Sequence, residues 1–156
     1  MSNTITINAE GVSLPAWSDY ANSFALKVLD ILKHENWELS ILFCGDEKIR
    51  ELNSQYRNKN EATDILSFNL GETVKDGENT VFLPGDIVIS LETLSENAKY
   101  FETCEDEELR RLIIHGILHL DGMDHHTIEE NEPMLELQED ILKKLKNEHI
   151  IAEAAK

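Results

Sequence analysis

The spacing of hydrophobic residues changes several times along this chain, and each change marks a predicted element. Thr4-Ile5-Thr6-Ile7-Asn8 alternates apolar and polar positions, the period of a half-buried strand, and Gly11 with Pro15 punctuates the turn that follows. Trp17, Ala21, Phe24, Val28, Ile31 and Leu32 then recur at helical spacing, predicting one apolar stripe that runs to about His34. From Trp37 to Cys44 the alternation returns, with Leu39, Ile41 and Phe43 on one face. Gly45 ends that strand, and Asp46 is the expected N-cap of a short helix carrying Ile49, Leu52 and Gln55-Tyr56. Residues 63–68 and 85–90 are short and strongly apolar, as central strands are, and the turn signal Lys75-Asp76-Gly77-Glu78 between them predicts a hairpin or a projecting loop. A helix from Leu91 to Tyr100 follows.

Glu105-Asp106-Glu107-Glu108 complements the dipole of the next helix, whose Leu109, Leu112, Ile113, Ile114, Ile117, Leu118 and Leu120 are spread nearly all round the wheel. That pattern predicts a buried central helix. Gly116 in its interior gives up about 1 kcal/mol of helix propensity relative to alanine, so something must approach closely there. Met134, Leu137, Ile141 and Leu145 mark a last helix, with Pro133 in its first turn and a frayed end expected from about Ile150. The expectation is α+β: a single domain over 1–156, with a mixed sheet of about four strands and helices packed on it.

A chain of 156 residues can bury a sufficient core without disulfides or a structural metal. Cys44 and Cys104 are far apart, without CxxC spacing, and read as two ordinary thiols of a reduced, cytoplasmic protein. The N-terminus lacks a basic and apolar leader, and no apolar run approaches the roughly 18 residues of a membrane span. The expectation is a chain neither exported nor embedded in a membrane.

Charge alters the picture. Fourteen basic and 31 acidic residues give −17, with 6 and 8 of them in residues 1–60, so most of the surface should repel nucleic acid. Lys48, Arg50, Arg57 and Lys59 form one locally positive island, whose bland reading is a solvated helix face.

The chemistry concentrates in His115-Gly116-Ile117-Leu118-His119-Leu120-Asp121-Gly122-Met123-Asp124-His125. His115 and His119 share one helix face. His125 cannot join them on a continued helix, so the helix must stop, and Gly122 is placed to reverse the chain in a left-handed conformation. Three neutral imidazoles leave a fourth coordination position open, as catalytic rather than structural zinc sites do. The spacing matches the zinc-binding frame of metzincin proteases, but Gly116 stands where that frame has its general-base glutamate. His126 is read as a bystander rather than a fourth ligand. Asp124 is placed to orient a ligand or water. His34 and His149 are read as surface histidines without partners.

The same stretch resembles the signature of the YbeY family, bacterial rRNA maturation factors described as metal-dependent endoribonucleases. Leu52-Asn53-Ser54-Gln55-Tyr56-Arg57, Thr63-Asp64-Ile65-Leu66-Ser67-Phe68 and Gly85-Asp86-Ile87-Val88-Ile89-Ser90 are similar to further blocks of that family, in the same order, so the resemblance runs from about residue 39 to 145. It implies that His115, His119 and His125 hold one zinc ion and that Arg57 is the functional arginine of the cleft. It also implies single-strand endoribonuclease work in 16S rRNA 3′-end maturation and ribosome quality control. The implied partners are rRNA and the small ribosomal subunit, reached through a ribosomal protein, with no DNA and no membrane.

On chemistry alone, zinc suits an imidazole set, with copper, nickel or iron as alternatives, and the attacking group is either activated water or the RNA 2′-hydroxyl. An ion pair with a nearby acid is the alternative for Arg57. Two other functions stay open: a metallohydrolase of peptide or amide bonds, and a non-catalytic, zinc-stabilised assembly factor.

Overall fold

The alternating and helical patterns are realised as β1 (Thr4–Ala9), α1 (Ser18–Ile31), β2 (Glu38–Cys44), α2 (Asp46–Arg57), β3 (Ile65–Asp76), β4 (Asn79–Ser90), α3 (Leu91–Tyr100), α4 (Glu105–Leu120) and α5 (Pro133–Lys144). The computed structural model describes residues 2–125, 129 and 132–151. The four strands form one mixed sheet in the order β1-β2-β4-β3. β1, β2 and β4 run parallel, while β3 pairs antiparallel with β4 and forms an edge. The α+β expectation with about four strands therefore holds.

Period-two alternation sorts the strand side chains between the two faces. Ile41, Phe43, Ile87 and Ile89 join the main core with α1, α4 and α5, whereas Leu66, Val88 and Cys44 pack with Ile49 of α2 on the other face. Burial pushes the Cys44 thiol up to about 11, so it stays protonated and inert at neutral pH.

The turn signal at Lys75–Glu78 is a hairpin, and its arms are longer than the apolar runs suggested. Each has 12 residues, the outer half of β3 is exposed while that of β4 is exposed only at Asn79 and Thr80, and a register shift lies between Asn69 and Glu72. A bulge absorbs the irregularity around Gly71 and Pro84, and the ladder continues beyond it.

Four further expectations change. Asp46 is the first residue of α2 rather than its N-cap, which is Gly45; the Asp46 N–H donates to Glu92 Oε1 at 3.0 Å. Its carboxylate accepts from Ser90 Oγ and Thr93 Oγ1, tying α2 to the start of α3. His34 is half-buried, stacked on Trp37 at 3.8 Å with Nε2 2.9 Å from Asp121 Oδ2. His149 contacts Asp106 Oδ2 at 3.0 Å. The chain is not frayed at Ile150, which is fully buried; the rest of that expected tail, residues 152–156, lies outside the described residues, as does His126.

Asp106 explains the docked end. Its carboxylate accepts from the N–H groups of Ile150 (2.7 Å) and Ile151 (2.8 Å), from His149 Nδ1 and from Arg110 Nε (3.1 Å). Burial opposes its charge, yet these donors outweigh burial and hold it below the ordinary carboxylate value. A carboxylate whose pKa is lower folded than unfolded stabilises the protein above the unfolded value, about 3.9. That contribution is lost as pH falls through the folded value. Asp106→Asn should cost about 3 kcal/mol at neutral pH, because Arg110 stays buried without its counter-charge. It should also flatten the acid limb of a urea-melt series taken below about pH 4. An unchanged acid limb would assign that pH dependence to other carboxylates.

Candidate metal centre

The buried helix α4 presents His115 and His119 one turn apart, and its position is set at Gly116. A Cβ there would lie 2.9 Å from Ile87 Cδ1 and 3.1 Å from Ile65 Cδ1, so the missing side chain lets α4 sit directly on β3 and β4. A side chain at this position would have to displace the ends of Ile87 and Ile65, so the place of the protease base is taken up by packing against the sheet.

Beyond Leu120 the chain reverses. Gly122 has φ +91°, its N–H donates to His119 O at 3.0 Å, and the Met123 N–H donates to Leu118 O at 3.0 Å. This is the paired hydrogen bonding of a Schellman end, and it turns His125 back toward the helix. The three rings lie 4.6, 5.3 and 5.7 Å apart between centroids, and one ligand atom from each falls within 4.8 Å of the others. Among the described residues this is the one group of three or more His, Cys, Asp or Glu with metal-holding geometry.

The hydrogen-bond partners test whether the set suits an ion. His115 Nδ1 lies 2.7 Å from Gln138 Oε1, and the orientation of that amide is fixed because Gln138 Nε2 donates to Glu139 Oε2 at 3.0 Å. A carboxylate only accepts, so the amide oxygen must face His115 and Nδ1 must carry the proton. Glu139 is held in turn by two hydrogen bonds from Arg111, at 3.0 and 3.2 Å. His119 Nδ1 donates to Met123 O at 3.1 Å. Both Nε2 lone pairs therefore face each other, 3.0 Å apart. Two lone pairs at that distance repel unless a cation lies between them. Tetrahedral zinc with nitrogen ligands at about 2.0–2.1 Å separates its donors by about 3.3 Å, so this pair fits.

Burial lowers both histidine pKa values. For His115 coupling to the neighbouring His125 adds to the effect while Gln138 opposes it; for His119 coupling to the neighbouring His115 adds to it. Both imidazoles are kept neutral, the form that binds metal.

A cavity of about 420 Å³ opens on His115 and His119 and is lined also by Arg57, Ser67, Asn69 and Asp124. Arg57, the last residue of α2, donates from Nη2 to Ser67 O at 2.7 Å, with its guanidinium carbon 5.7 Å from the Phe68 ring centroid. Among the described residues it makes no ion pair, so the surface-pair alternative does not describe it. Lys48, from the same positive island, pairs with Glu10 and Glu51 instead. Asn69 Nδ2 donates to His119 O at 3.2 Å, linking β3 to the end of α4. Asp124 Oδ1 accepts from the His125 N–H at 2.8 Å, which braces the returning loop.

Gln138 was not legible as a site residue, although it left a signal. It is a polar residue, 6% exposed, on the apolar stripe of α5 between Met134 and Ile141.

This fold and site define a class of small α+β proteins that carry three converging imidazoles at the end of a buried helix, beside a cavity reached by an arginine. The chain belongs to the YbeY endoribonuclease family: the family model described as Endoribonuclease YbeY matches residues 5–146. Proteins named Endoribonuclease YbeY are similar over most of the chain. One from Treponema pallidum (strain Nichols) is 45% identical over 141 residues, 90% of this chain and 88% of the relative. One from Treponema denticola is 49% identical over 130 residues, 82% and 83% of the two chains. The solution structure of a Thermotoga maritima protein superposes with a TM-score of 0.63 at 30% identity, covering 93% of this chain and 91% of that one. No described helix is long and apolar enough to cross a membrane.

Gln138→Leu removes the acceptor that orients His115 while keeping most of the side-chain volume. Zinc affinity, measured by competition with a chromogenic chelator, should fall about 10- to 100-fold while the far-ultraviolet spectrum stays unchanged. Affinity equal to wild type would make Gln138 a packing residue only.

Proposed function

We propose that this chain is a zinc-dependent endoribonuclease that cuts single-stranded RNA in the cytoplasm, in 16S rRNA 3′-end maturation and ribosome quality control. The convergence of three imidazole nitrogens, two of them lining a cavity that Arg57 also lines, carries this reading. The relatives' name, Endoribonuclease YbeY, supports the reaction class.

A zinc ion bound by His115, His119 and His125 would supply Lewis acidity beside the scissile phosphodiester. The chain's own residues supply orientation and charge. Arg57 is held by the Ser67 carbonyl and the Phe68 ring, so its remaining N–H donors are pre-aimed and can grip non-bridging phosphate oxygens in two places. Gln138 and the Met123 carbonyl hold the two helical imidazoles with Nε2 inward. The rival reading as a peptide hydrolase is disfavoured, because Gly116 packs on Ile87 and Ile65 where that chemistry needs a carboxylate.

With a net charge of −17, contact with RNA is confined to the region of Arg57 and the histidines, and a ribosomal protein supplies most of the docking. Affinity for naked RNA should be weak and should fall steeply with salt in a filter-binding series.

Metal stoichiometry, melting temperature and cleavage of an rRNA fragment, measured on the same preparations, test the assignment. His119→Ala should lose metal and turnover together. Arg57→Ala should keep its metal and shift stability by no more than about 0.5 kcal/mol, as surface changes do. Its cleavage rate should nevertheless drop about 10²-fold through lost charge stabilisation. Arg57→Lys should recover part of that rate, keeping the charge without the fork. Equal activity of wild type and Arg57→Ala at matched metal loading would remove Arg57 from the mechanism. Metal-loaded protein that cuts no RNA would favour the assembly-factor reading.

A further inference from the structure

The sheet has a second cavity, on the face away from α4. It measures about 480 Å³ and is lined by Leu42, Leu52, Tyr56, Phe68 and Val88 with Ser40, Asn8 and Asp86. Its size is in the range of small-ligand sites. Phe68 and Asp86 are direct partners across β3 and β4, and Asp86 and Ser40 are direct partners across β4 and β2, so ring, carboxylate and hydroxyl stand in one row. The Ser40 hydroxyl donates to the Asp86 carboxylate and fixes its orientation. Tyr56 is 62% exposed and braced at 68° against Phe68, with ring centroids 5.4 Å apart.

An apolar floor, an exposed ring and an oriented acceptor on one wall together match a flat heterocycle that carries N–H donors. Arg57 decides which kind of molecule brings it. Arg57 lines the histidine cavity and also lies over Phe68 of this one, so a strand whose phosphate it grips would cross the β3 edge from one cavity to the other. The same positive charge at the rim opposes a basic peptide side chain, the other ligand that would suit a carboxylate beside an aromatic ring.

Resting on the RNA reading above, we propose that this cavity is a nucleobase subsite that selects guanine in the bound strand. Tyr56 provides the stacking surface and Asp86 the hydrogen-bond acceptor. A carboxylate only accepts, and guanine offers two adjacent donors, N1–H and the 2-amino group. Uracil offers one N–H between two carbonyl oxygens, which the carboxylate repels. Recognition by acceptors also suits a chain whose acidic surface discourages broad phosphate binding.

Fluorescence anisotropy with full-length, zinc-loaded protein and the labelled trinucleotides UGU, UAU, UCU and UUU tests this subsite. UGU should bind about tenfold tighter than UUU, the discrimination of one good pair of hydrogen bonds. Tyr56→Ala should weaken all four about tenfold through lost stacking, and Tyr56→Phe should restore them. Asp86→Asn should erase the preference for UGU, weakening UGU and, with the repulsion of uracil's carbonyls gone, strengthening UUU; should that variant fail to fold, Ser40→Ala, which releases the carboxylate, should reduce the preference. Equal affinities for the four trinucleotides, no binding of any, unchanged preference in the variants, or displacement of UGU by a lysine-rich peptide but not by free GMP would each overturn the subsite. Because the assay reads binding, RNA cleavage that persists with any of those results leaves the endoribonuclease reading intact. Guanine-selective binding by a protein that cuts no RNA does the reverse.

Discussion

The contact between Gly116 of α4 and the ends of Ile87 and Ile65 is the constraint on which the rest of the site depends. A helix normally stands off a sheet by the length of its side chains, and here one is missing at the point of contact. That brings the backbone of α4 against β3 and β4, places His115 and His119 beside the exposed edge of the sheet, and puts Arg57 of α2 within reach of the same cavity. The cost in helix propensity, about 1 kcal/mol, is small against the apolar area of a helix buried on most of its circumference.

Orientation is layered on that placement. The Schellman end at Gly122 brings in His125, and the Gln138 side chain and the Met123 carbonyl fix the directions of the His115 and His119 imidazoles. Arg111, Glu139 and Gln138 form one chain of hydrogen bonds that ends at His115 Nδ1. Burial opposes the charge of Glu139, but the hydrogen bond from Arg111 outweighs it and lowers the carboxylate's pKa. Glu139 thus stays ionised where Gln138 needs an acceptor, and an electrostatic pair on the α4–α5 surface controls the tautomer of His115 inside the cavity.

Much of this was legible in the residues. The histidine spacing and Gly122 required a helix stop and a return, and the all-round apolar wheel of α4 required burial; both follow from local rules that tertiary structure had no reason to override. The outer halves of β3 and β4 were hidden because their polar residues, Gly71 and Pro84 carry no period-two signal; pairing across the hairpin holds them, together with Phe82, which packs on Trp37 and donates its N–H to Asn36 O at 2.7 Å. Gln138, His34, His149 and the docking of Ile150 were hidden for a different reason. Each depends on a partner at least 23 positions away, a relation that spacing within one element does not encode.

X-ray absorption at the zinc edge, on protein loaded with one equivalent of zinc, addresses the central claim directly: three imidazoles and no other protein group share one ion. The spectrum should show three imidazole nitrogens at about 2.0–2.1 Å, with their outer-ring scattering, and one further light-atom ligand that exogenous azide or phosphate replaces. Two or fewer imidazoles, or four protein ligands that no added anion displaces, would contradict the account.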